Sequence, residues 1–390
     1  TRLRREAPVF WHPMPADLPI ETEEGFWVLS KHSDIQAANR DTEAFCAIDG
    51  PGLSLSPEMR GTMLVSMDGQ THIRQRKIIS AGFTPRMVGR LEQQARRWAI
   101  SIIDDAIEKG SCDFVGDVAY QLPMHMIADI VGIPVEDRQW LFTLTNDFLQ
   151  GGDFGNSDPE EARAASMAKQ IEMFQYAQKL CEDKRKKPED DVWTIISTFE
   201  LEDERGDRSS MSETELNFFF MLLTIAGSET TRNAISGGLL ALLDHPDQLE
   251  QMRNDSDVMR SGVEEIIRWT SPVAYFARRA TRDVEISGVK ISEGQRVTLW
   301  YPSANRDEDV FEDPFRFDVH RKPNAHIAFG GGGAHFCLGA NLARREIAIL
   351  FEELLKRTNK IEVLESPRYQ SLSIFNPIYL ALTELPVRIS

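Results

Sequence analysis

Apolar residues recur at helical spacing through much of the chain. The repeat is clear over residues 91–108 and again over residues 122–131, and both segments are predicted to be core helices. A longer helix is predicted to run from Ser212 to about Leu243, because Ser212 and Glu215 have the spacing of a capping box at its start. Helices therefore dominate the predicted fold.

Strand-like patterns are confined to short stretches. Residues 25–30 form a short β-like run, and a helix is predicted to begin near Ser33. Residues 284–289 and 295–300 alternate between apolar and polar side chains, which predicts that these two segments pair as a small hairpin sheet. The predicted fold class is mainly α with small antiparallel β-sheets.

Composition excludes some classes of partner. The 390 residues include 61 acidic and 44 basic side chains, for a net charge of −17, so no nucleic acid is expected to bind. The longest strongly apolar stretch, residues 218–226, is far shorter than the roughly 20 residues of a membrane span, so no transmembrane segment is expected. The four cysteines are widely scattered, which argues against a disulfide framework and predicts a cytoplasmic location.

The most informative stretch joins a glycine-rich loop to a predicted helix. Phe329 is followed by four glycines, and Cys337 and Gly339 come just before the helical pattern of residues 340–347. Unpaired N–H groups at a helix start favour a thiolate over a thiol. Gly339 leaves room for a flat cofactor close to the backbone. This pattern is typical of a single, soft metal ligand at Cys337.

The loop also fits other interpretations to different degrees. A cysteine in a glycine-rich turn can simply be a small apolar residue, and the loop by itself leaves that interpretation open. A dinucleotide-binding loop would need a further glycine where His335 or Phe336 stands. Zinc would need three or four clustered ligands, and only His326, His335 and Cys337 are near, without finger spacing.

Three motifs in order give a family resemblance. Residues 329–339 resemble the haem-binding loop of the cytochrome P450 superfamily, and residues 226–231 resemble its oxygen-activation segment. Glu265 and Arg268 resemble its E-x-x-R helix motif. One departure is that the aromatic residue lies eight positions before Cys337, where the commonest family pattern has seven. The resemblance covers essentially the whole chain and implies one domain of cytochrome P450 fold over residues 1–390.

The resemblance implies haem b, held between the long helix and the loop of Cys337, which would ligate the iron. The family's H-x-x-x-R pattern matches His72 and Arg76, which lie on one helical face and are expected to bind haem propionates. Arg278 matches a further propionate-binding arginine, with its neighbour Arg279 as the alternative. The expected cofactor-binding residues are His72, Arg76, Ala226, Gly227, Arg278, Phe329, His335, Cys337 and Gly339.

The resemblance also assigns catalytic and structural roles. Glu229 and Thr230 match the family's acid–alcohol pair, so Thr230 is expected to hydrogen-bond bound oxygen and Glu229 to relay protons. Gly227 in the helix interior, followed by hydroxyl side chains that can bond back to the backbone, suggests a local widening of the helix. Glu265 and Arg268 are expected to form a buried structural ion pair. The expected substrate-pocket residues are Phe219, Leu222, Val273 and Phe375.

The implied activity is monooxygenation of a hydrophobic substrate with O2. The chain shows no flavin or iron–sulfur motif, so electrons from NAD(P)H are expected through a separate ferredoxin and ferredoxin reductase, docking where Arg344 and Arg345 are candidate contacts. Residues 330–347 resemble bacterial members that hydroxylate terminal methyl groups of methyl-branched lipids, steroid side chains or terpenoids. Two alternatives stay open: a peroxide-driven oxygenase on the same fold, which Glu229 and Thr230 disfavour, and a non-catalytic haem sensor or binding protein.

Overall fold

Helices form most of the structure, as the hydrophobic periodicity predicts. The computed structural model describes residues 1–14, 24–53, 60–150, 159–202, 205–370 and 381–390. Within these residues the helices are α1 (Arg2–Glu6), α2 (His32–Arg40), α3 (Gly69–Ala81), α4 (Pro85–Lys109), α5 (Gln121–Val131), α6 (Val135–Gln150), α7 (Pro159–Lys186), α8 (Val192–Thr198), α9 (Glu213–Leu243), α10 (Pro246–Asn254), α11 (Ser256–Thr270), α12 (Tyr301–Ala304) and α13 (Ala340–Arg357).

The strands are short and form small sheets. They are β1 (Val9–Pro13), β2 (Gly25–Leu29), β3 (Phe45–Cys46), β4 (Ser111–Asp113), β5 (Leu201–Glu202), β6 (Arg208–Ser209), β7 (Tyr275–Ala280), β8 (Val284–Ile286), β9 (Val289–Ile291), β10 (Arg296–Trp300), β11 (Ile361–Val363), β12 (Arg368–Tyr369), β13 (Leu382–Glu384) and β14 (Pro386–Ile389). In the described part of the chain, the largest sheet has the order β1-β2-β10-β7-β3.

The long helix α9 is central to the helical part of the molecule. It packs against α5, α7 and α11, and it begins with the predicted capping box. The Glu215 N–H donates to Ser212 Oγ at 3.2 Å, and the Ser212 N–H donates to the Glu215 carboxylate at 2.8 Å. The predicted start and end of this helix are confirmed.

The predicted pairing of residues 284–289 with residues 295–300 is wrong. Ser287 and Gly288 both have positive φ, at 47° and 77°, which is the conformation of a tight hairpin turn, so β8 pairs with β9 instead. The strand β10 lies between β2 and β7 in the largest sheet, parallel to β2 and antiparallel to β7. The predicted class of mainly α with small antiparallel sheets is confirmed, with β2 and β10 as a parallel pair.

Two apolar cores support this architecture. The larger core joins buried side chains of α4, α5, α9, α11 and α13, and the smaller one lies between the largest sheet and α2. Both cores are stabilised because their apolar side chains are removed from water. No helix in the described part of the chain combines the length and the apolar character needed to cross a membrane.

Candidate active site

A largely apolar cavity separates α9 from the loop that carries Cys337. The predicted site residues that line it are His72, Arg76, Phe219, Leu222, Ala226, Gly227, Thr230, Val273, Arg278, Phe329, His335, Cys337 and Gly339. Glu229, Glu265 and Arg268 lie behind its walls rather than in its lining. Phe375 lies outside the described residues. The fold therefore brings together residues from four separate parts of the sequence.

The cysteine loop depends on its glycines. Gly330, Gly331, Gly332 and Gly333 have φ values of 99°, 66°, 106° and 82°, a region that side-chain-bearing residues rarely adopt. The loop closes where the Cys337 N–H donates to the Phe329 carbonyl at 3.0 Å. A Cβ added to Gly333 would lie 2.4 Å from the Asn39 carbonyl oxygen, so the lengthened glycine run packs directly against α2.

The thiol of Cys337 is accessible from the cavity and lies just before α13. Burial among protein atoms raises the pKa of this thiol, while the N–H of Gly339, the cations of Arg76 and Arg344, and the N–H of Ala340 act in the opposite direction. The N–H groups at the helix start therefore favour the thiolate in the predicted direction, but burial of the thiol outweighs them. A coordinated metal ion would remove the proton.

The side chains expected to bind acidic groups make few hydrogen bonds to other described residues. Arg278 is 4% exposed and donates to the neighbouring Ala277 carbonyl at 2.8 Å, and Arg76 donates to the Phe336 carbonyl at 2.6 Å. Neither guanidinium has a carboxylate partner among the described residues. The buried Nε2 of His72 also lacks a partner there. These groups leave unused donor capacity on the cavity wall.

Arg279 differs from Arg278 because it points elsewhere. Its guanidinium pairs with Asp49 and donates to the Gly294 carbonyl, and it does not line the cavity. Successive residues of a strand point to opposite faces, so only one of the two can reach the cavity from β7.

His335 is held by an acid that the sequence did not single out. Its Nε2 lies 2.9 Å from Asp68 Oδ1, and its ring centroid lies 4.4 Å from that of His72. Asp68 also accepts a hydrogen bond from the Ala47 N–H at 2.6 Å. Burial would raise the pKa of Asp68, but these two hydrogen bonds outweigh it and lower the pKa. The sequence signal that could have identified Asp68 is its position immediately before α3, near His72.

The acid and the alcohol of α9 are on different sides of the helix wall. Thr230 lines the cavity, and its Oγ1 donates to the Ala226 carbonyl at 2.8 Å. Glu229 is 5% exposed and pairs with Arg232 at 2.5 Å. Burial raises the pKa of Glu229, and Arg232 acts against this shift. Arg232 was missed, although its i,i+3 spacing from Glu229 is a common helical ion-pair signal.

Gly227 lets α9 approach α5 closely. A Cβ added there would lie 3.0 Å from Ile127 Cδ1, which is tighter than ordinary contact. Hydroxyls bond back to the helix as expected, since Ser228 also donates to the Thr224 carbonyl at 2.7 Å. The hydrogen-bond ladder of α9 continues through this segment as α-helix, so the suggested widening is not an interruption of the helix.

Glu265 and Arg268 lie in a buried network beneath the site. Their side chains pair at 2.7 Å and are 0% exposed. Arg268 donates further to the carbonyls of Asn305 at 2.8 Å and Pro314 at 2.9 Å, and Asn324 donates to Glu265 at 3.1 Å. The pair therefore joins α11 to the irregular chain that leads into the cysteine loop.

Comparison with known proteins identifies the family. The profile of the cytochrome P450 family matches residues 23–367. The chain belongs to the cytochrome P450 family. A steroid C26-monooxygenase of Rhodococcus jostii is 39% identical, over 94% of this chain and 77% of its own length. A methyl-branched lipid omega-hydroxylase of Mycobacterium bovis is 41% identical, over 94% of this chain and 85% of its own length.

Solved structures agree with the sequence relatives. A Mycobacterium marinum cytochrome P450 in complex with pseudoionone matches with a TM-score of 0.89 and 35% identity, over 99% of this chain and 92% of its own. The fold class and the enzyme class predicted from the sequence are confirmed: this protein is a cytochrome P450 monooxygenase. Family membership implies haem b and the use of O2.

The residues of the cavity fit haem. Cys337 offers a thiol of the kind that ligates haem iron, while Arg76, Arg278 and His72 offer donors for the two propionates. Gly339 has an ordinary φ of −81°, and a Cβ added to it would meet no protein atom within 4 Å. Neither the backbone nor the packing requires glycine at this point. The space it leaves open belongs to the cavity and suits a flat macrocycle.

Arg344 has a different position from the one expected of a docking residue. It donates to Glu264 at 2.6 Å, and its guanidinium lies 4.4 Å from the centre of the Phe329 ring. Burial would raise the pKa of Glu264, but His326 and Arg344 outweigh it and lower the pKa to about 2. Arg344 thus supports the cysteine loop from below, whereas the side chain of Arg345 is 62% exposed.

Proposed function

We propose that this P450 hydroxylates a terminal methyl group of a hydrophobic substrate, a methyl-branched lipid or a steroid side chain. The observation that carries the proposal is the wall of the cavity opposite Cys337. The residues of that wall are apolar; they are Phe219, Leu222, Leu223, Ala226, Val273 and Phe276. A mostly apolar wall, in which α9 contributes the hydroxyl-bearing residues Thr230 and Thr231, suits a substrate that offers hydrocarbon to the site. The names of the steroid and lipid relatives support the same class.

Bound haem supplies the oxidising power, with O2 as cosubstrate, that inserts oxygen into an unactivated C–H bond. The chain's own residues do the rest. Cys337 ligates the iron, and Arg76, Arg278 and His72 hold the propionates and so fix the orientation of the ring. The apolar wall orients the substrate and excludes water, which protects the reaction from side products.

Thr230 and Glu229 deliver protons in this proposal. Thr230 lines the cavity, and its hydroxyl donates to the Ala226 carbonyl. Glu229 supplies it from behind, since burial raises the pKa of its carboxyl group towards the range in which an acid can give up and regain a proton. Arg232 is the positioning residue that holds Glu229 against the helix.

Electrons come from a ferredoxin with its reductase and NAD(P)H in this proposal. The docking surface consists of Phe336, which is 37% exposed, and the exposed Arg345. Phe336 precedes Cys337 in the chain, so a partner seated there would be close to the iron ligand. An exposed basic residue and an exposed aromatic residue are suitable contacts for an acidic partner protein.

Reconstitution tests the proposal. The haem-loaded enzyme is supplied with a ferredoxin, its reductase and NADPH, and is offered a sterol with an intact side chain, a methyl-branched fatty acid and a straight-chain fatty acid. Oxygen insertion at a terminal methyl of the branched substrates is expected, and C337S should lose it together with the red-shifted Soret band of the reduced carbon-monoxide adduct. Oxidation of aromatic or polar compounds alone would contradict the substrate class.

The same assay decides between the alternatives. Equal product with peroxide and without the electron donors would favour a peroxide-driven oxygenase. Binding of the substrates without any product under all conditions would favour a haem sensor. Neither is preferred, because Thr230 lines the cavity and Glu229 lies beside it in the chain, as a proton-delivering pair requires.

A further inference from the structure

Glu346 is a buried acid in the haem cavity that the reaction described above does not use. It lies on α13, nine residues after Cys337, and it lines the cavity although only 4% of its surface is exposed. Its carboxyl group has no hydrogen-bond or ion-pair partner among the described residues. The cavity residues nearest to it in the chain, Leu342, Ala343 and Ile347, are all apolar.

The other acids of the same helix behave differently. Glu352 and Glu353 pair with Arg96 at 2.7 and 2.5 Å, and Glu353 also pairs with Arg357 at 3.3 Å. Buried acids are normally paired or hydrogen-bonded in this way, because an isolated charge in an apolar setting is strongly disfavoured. Glu346 has neither kind of partner, so its uncharged, protonated form is the one that this setting permits.

Among the described residues, no charged group of the elements packed on α13 pairs with Glu346. The ion pairs of the described parts of α4, α5, α9, α10 and α11 near α13 do not include Glu346; they are Glu92 with Arg345, Asp129 with Arg138, Glu229 with Arg232, Glu250 with Arg253, Glu264 with Arg344, and Glu265 with Arg268. The titratable His125 of α5 packs against Trp98 and Phe142. Burial alone raises the pKa of Glu346, to about 8. The carboxyl group is therefore neutral at pH 7 and ionises at mildly alkaline pH.

We propose that Glu346 is a positioning residue that tunes the reduction potential of the haem. Because it is held as an uncharged acid, it places no negative charge near the iron when the iron accepts an electron. A negative charge in a cavity of low dielectric constant would stabilise the ferric over the ferrous iron and so lower the reduction potential. Ionisation of Glu346 would make the first electron transfer harder. This inference depends on the haem-binding role of the cavity and is independent of the substrate class.

The reduction potential of the haem-loaded enzyme tests the proposal. Potentials are measured by spectroelectrochemistry without substrate, from about pH 6 to about pH 9, for the wild type, E346Q and E352Q. The glutamine of E346Q keeps the shape and cannot ionise, and E352Q removes a partly exposed acid of the same helix. Near pH 6 we expect the three proteins to have equal reduction potentials. As the pH rises, the potentials of the wild type and of E352Q should fall below that of E346Q, with the midpoint of the fall at a pH of about 8.

Two results would overturn the proposal. A higher potential of E346Q already near pH 6 would mean that Glu346 is charged there, and superimposable profiles of E346Q and wild type would mean that it does not act on the iron. The reduced carbon-monoxide spectrum of E346Q should be unchanged, which separates tuning from loss of the thiolate. If E346Q fails to fold, the wild type suffices, since a constant potential from about pH 7 to about pH 9 contradicts the proposal.

Discussion

At the scale of single residues, the site depends on which side chains have a partner and which do not. Arg278 and Arg279 are neighbours with the same chemistry, yet Arg279 is paired with Asp49 while Arg278 lines the cavity without a carboxylate partner among the described residues. Thr230 and Ser228 are likewise two hydroxyls of one helical segment, and of these only Thr230 lines the cavity. In each pair, a substitution of the residue that lines the cavity tests its role, and a substitution of the other residue is the control.

Replacing Arg278 with glutamine should weaken haem retention. The change removes a buried cation from the propionate side of the cavity, and a hydrogen bond to a charged group contributes about 1.5–3 kcal/mol, so haem should leave about 10- to 100-fold faster. Haem content after purification and the rate of transfer to apomyoglobin measure this. R279Q loses its pair with Asp49 and should still keep its haem; equal loss in both variants would contradict the assignment.

Replacing Thr230 with alanine should separate electron consumption from product formation. Without the hydroxyl, proton delivery loses a positioned donor, an effect typically worth about 10²-fold or more, and the product formed per NADPH should fall steeply. S228A is the matched control, because the Ser228 hydroxyl is buried and bonds to the Thr224 carbonyl outside the cavity. If T230A formed as much product per NADPH as the wild type, the proposed role of Thr230 would be refuted.

At the scale of elements, the position of the iron ligand depends on two supports. The buried network of Glu265 and Arg268 holds the irregular chain that leads to the cysteine loop, and three glycines of the loop, Gly331, Gly332 and Gly333, pack it against α2. Glu265 and Arg268 do not line the cavity, and of the four glycines only Gly330 does. Variants in them should therefore affect stability and ligation before they affect substrate choice.

Replacing Glu265 with glutamine should destabilise the fold. It leaves the Arg268 cation buried without its counter-charge, and breaking a buried pair in this way costs about 3–5 kcal/mol. Denaturant unfolding followed by circular dichroism measures the loss. D257N is a control on the same helix with the same i,i+3 spacing, since Asp257 and Arg260 form an exposed pair, and it should change stability little.

Replacing Gly333 with alanine should disturb the cysteine loop. The residue has φ of 82°, and the added Cβ would lie 2.4 Å from the Asn39 carbonyl, so the loop or α2 must shift. We expect a smaller fraction of the red-shifted carbon-monoxide band. Gly294 has φ of 84° with nothing near an added Cβ, so G294A carries only the backbone strain of about 1–2 kcal/mol and should keep the band.

At the scale of the whole molecule, charge distribution bears on electron supply. The chain carries a net charge of −17, so an acidic ferredoxin would be repelled overall and needs a local basic contact. Arg344 pairs with Glu264 and lies over the Phe329 ring, whereas Arg345 is exposed and is the basic contact of the proposed docking surface.

Replacing Arg345 with glutamate should raise the apparent KM for ferredoxin and slow reduction of the haem. The reason is electrostatic steering, which also predicts that the difference from wild type shrinks as salt is added. Stopped-flow reduction over a range of salt concentrations measures this. R208E changes an arginine of similar exposure, 66% against 62%, on the β5–β6 hairpin. If R208E slowed reduction as much, net charge rather than a docking surface would be responsible.

The sequence by itself determined the helices, the fold class and the family. Helical periodicity and the Ser212–Glu215 capping box are local patterns, so they could be read without knowing any long-range contact. The motifs identified the iron ligand and the anion-binding groups of the cavity, because the chemistry of these groups restricts the residue types at those positions. Confirmation of the family came from the comparisons rather than from any one residue.

The tertiary structure decided the partners. The hairpin of β8 and β9, the choice between Arg278 and Arg279, the Asp68 contact of His335 and the Arg232 contact of Glu229 all depend on which groups meet in space. The upward shift of the Cys337 pKa and the unpartnered Glu346 depend on burial, which no local pattern records. Pairing and desolvation are properties of the packed chain, and for that reason they were beyond the reach of the sequence alone.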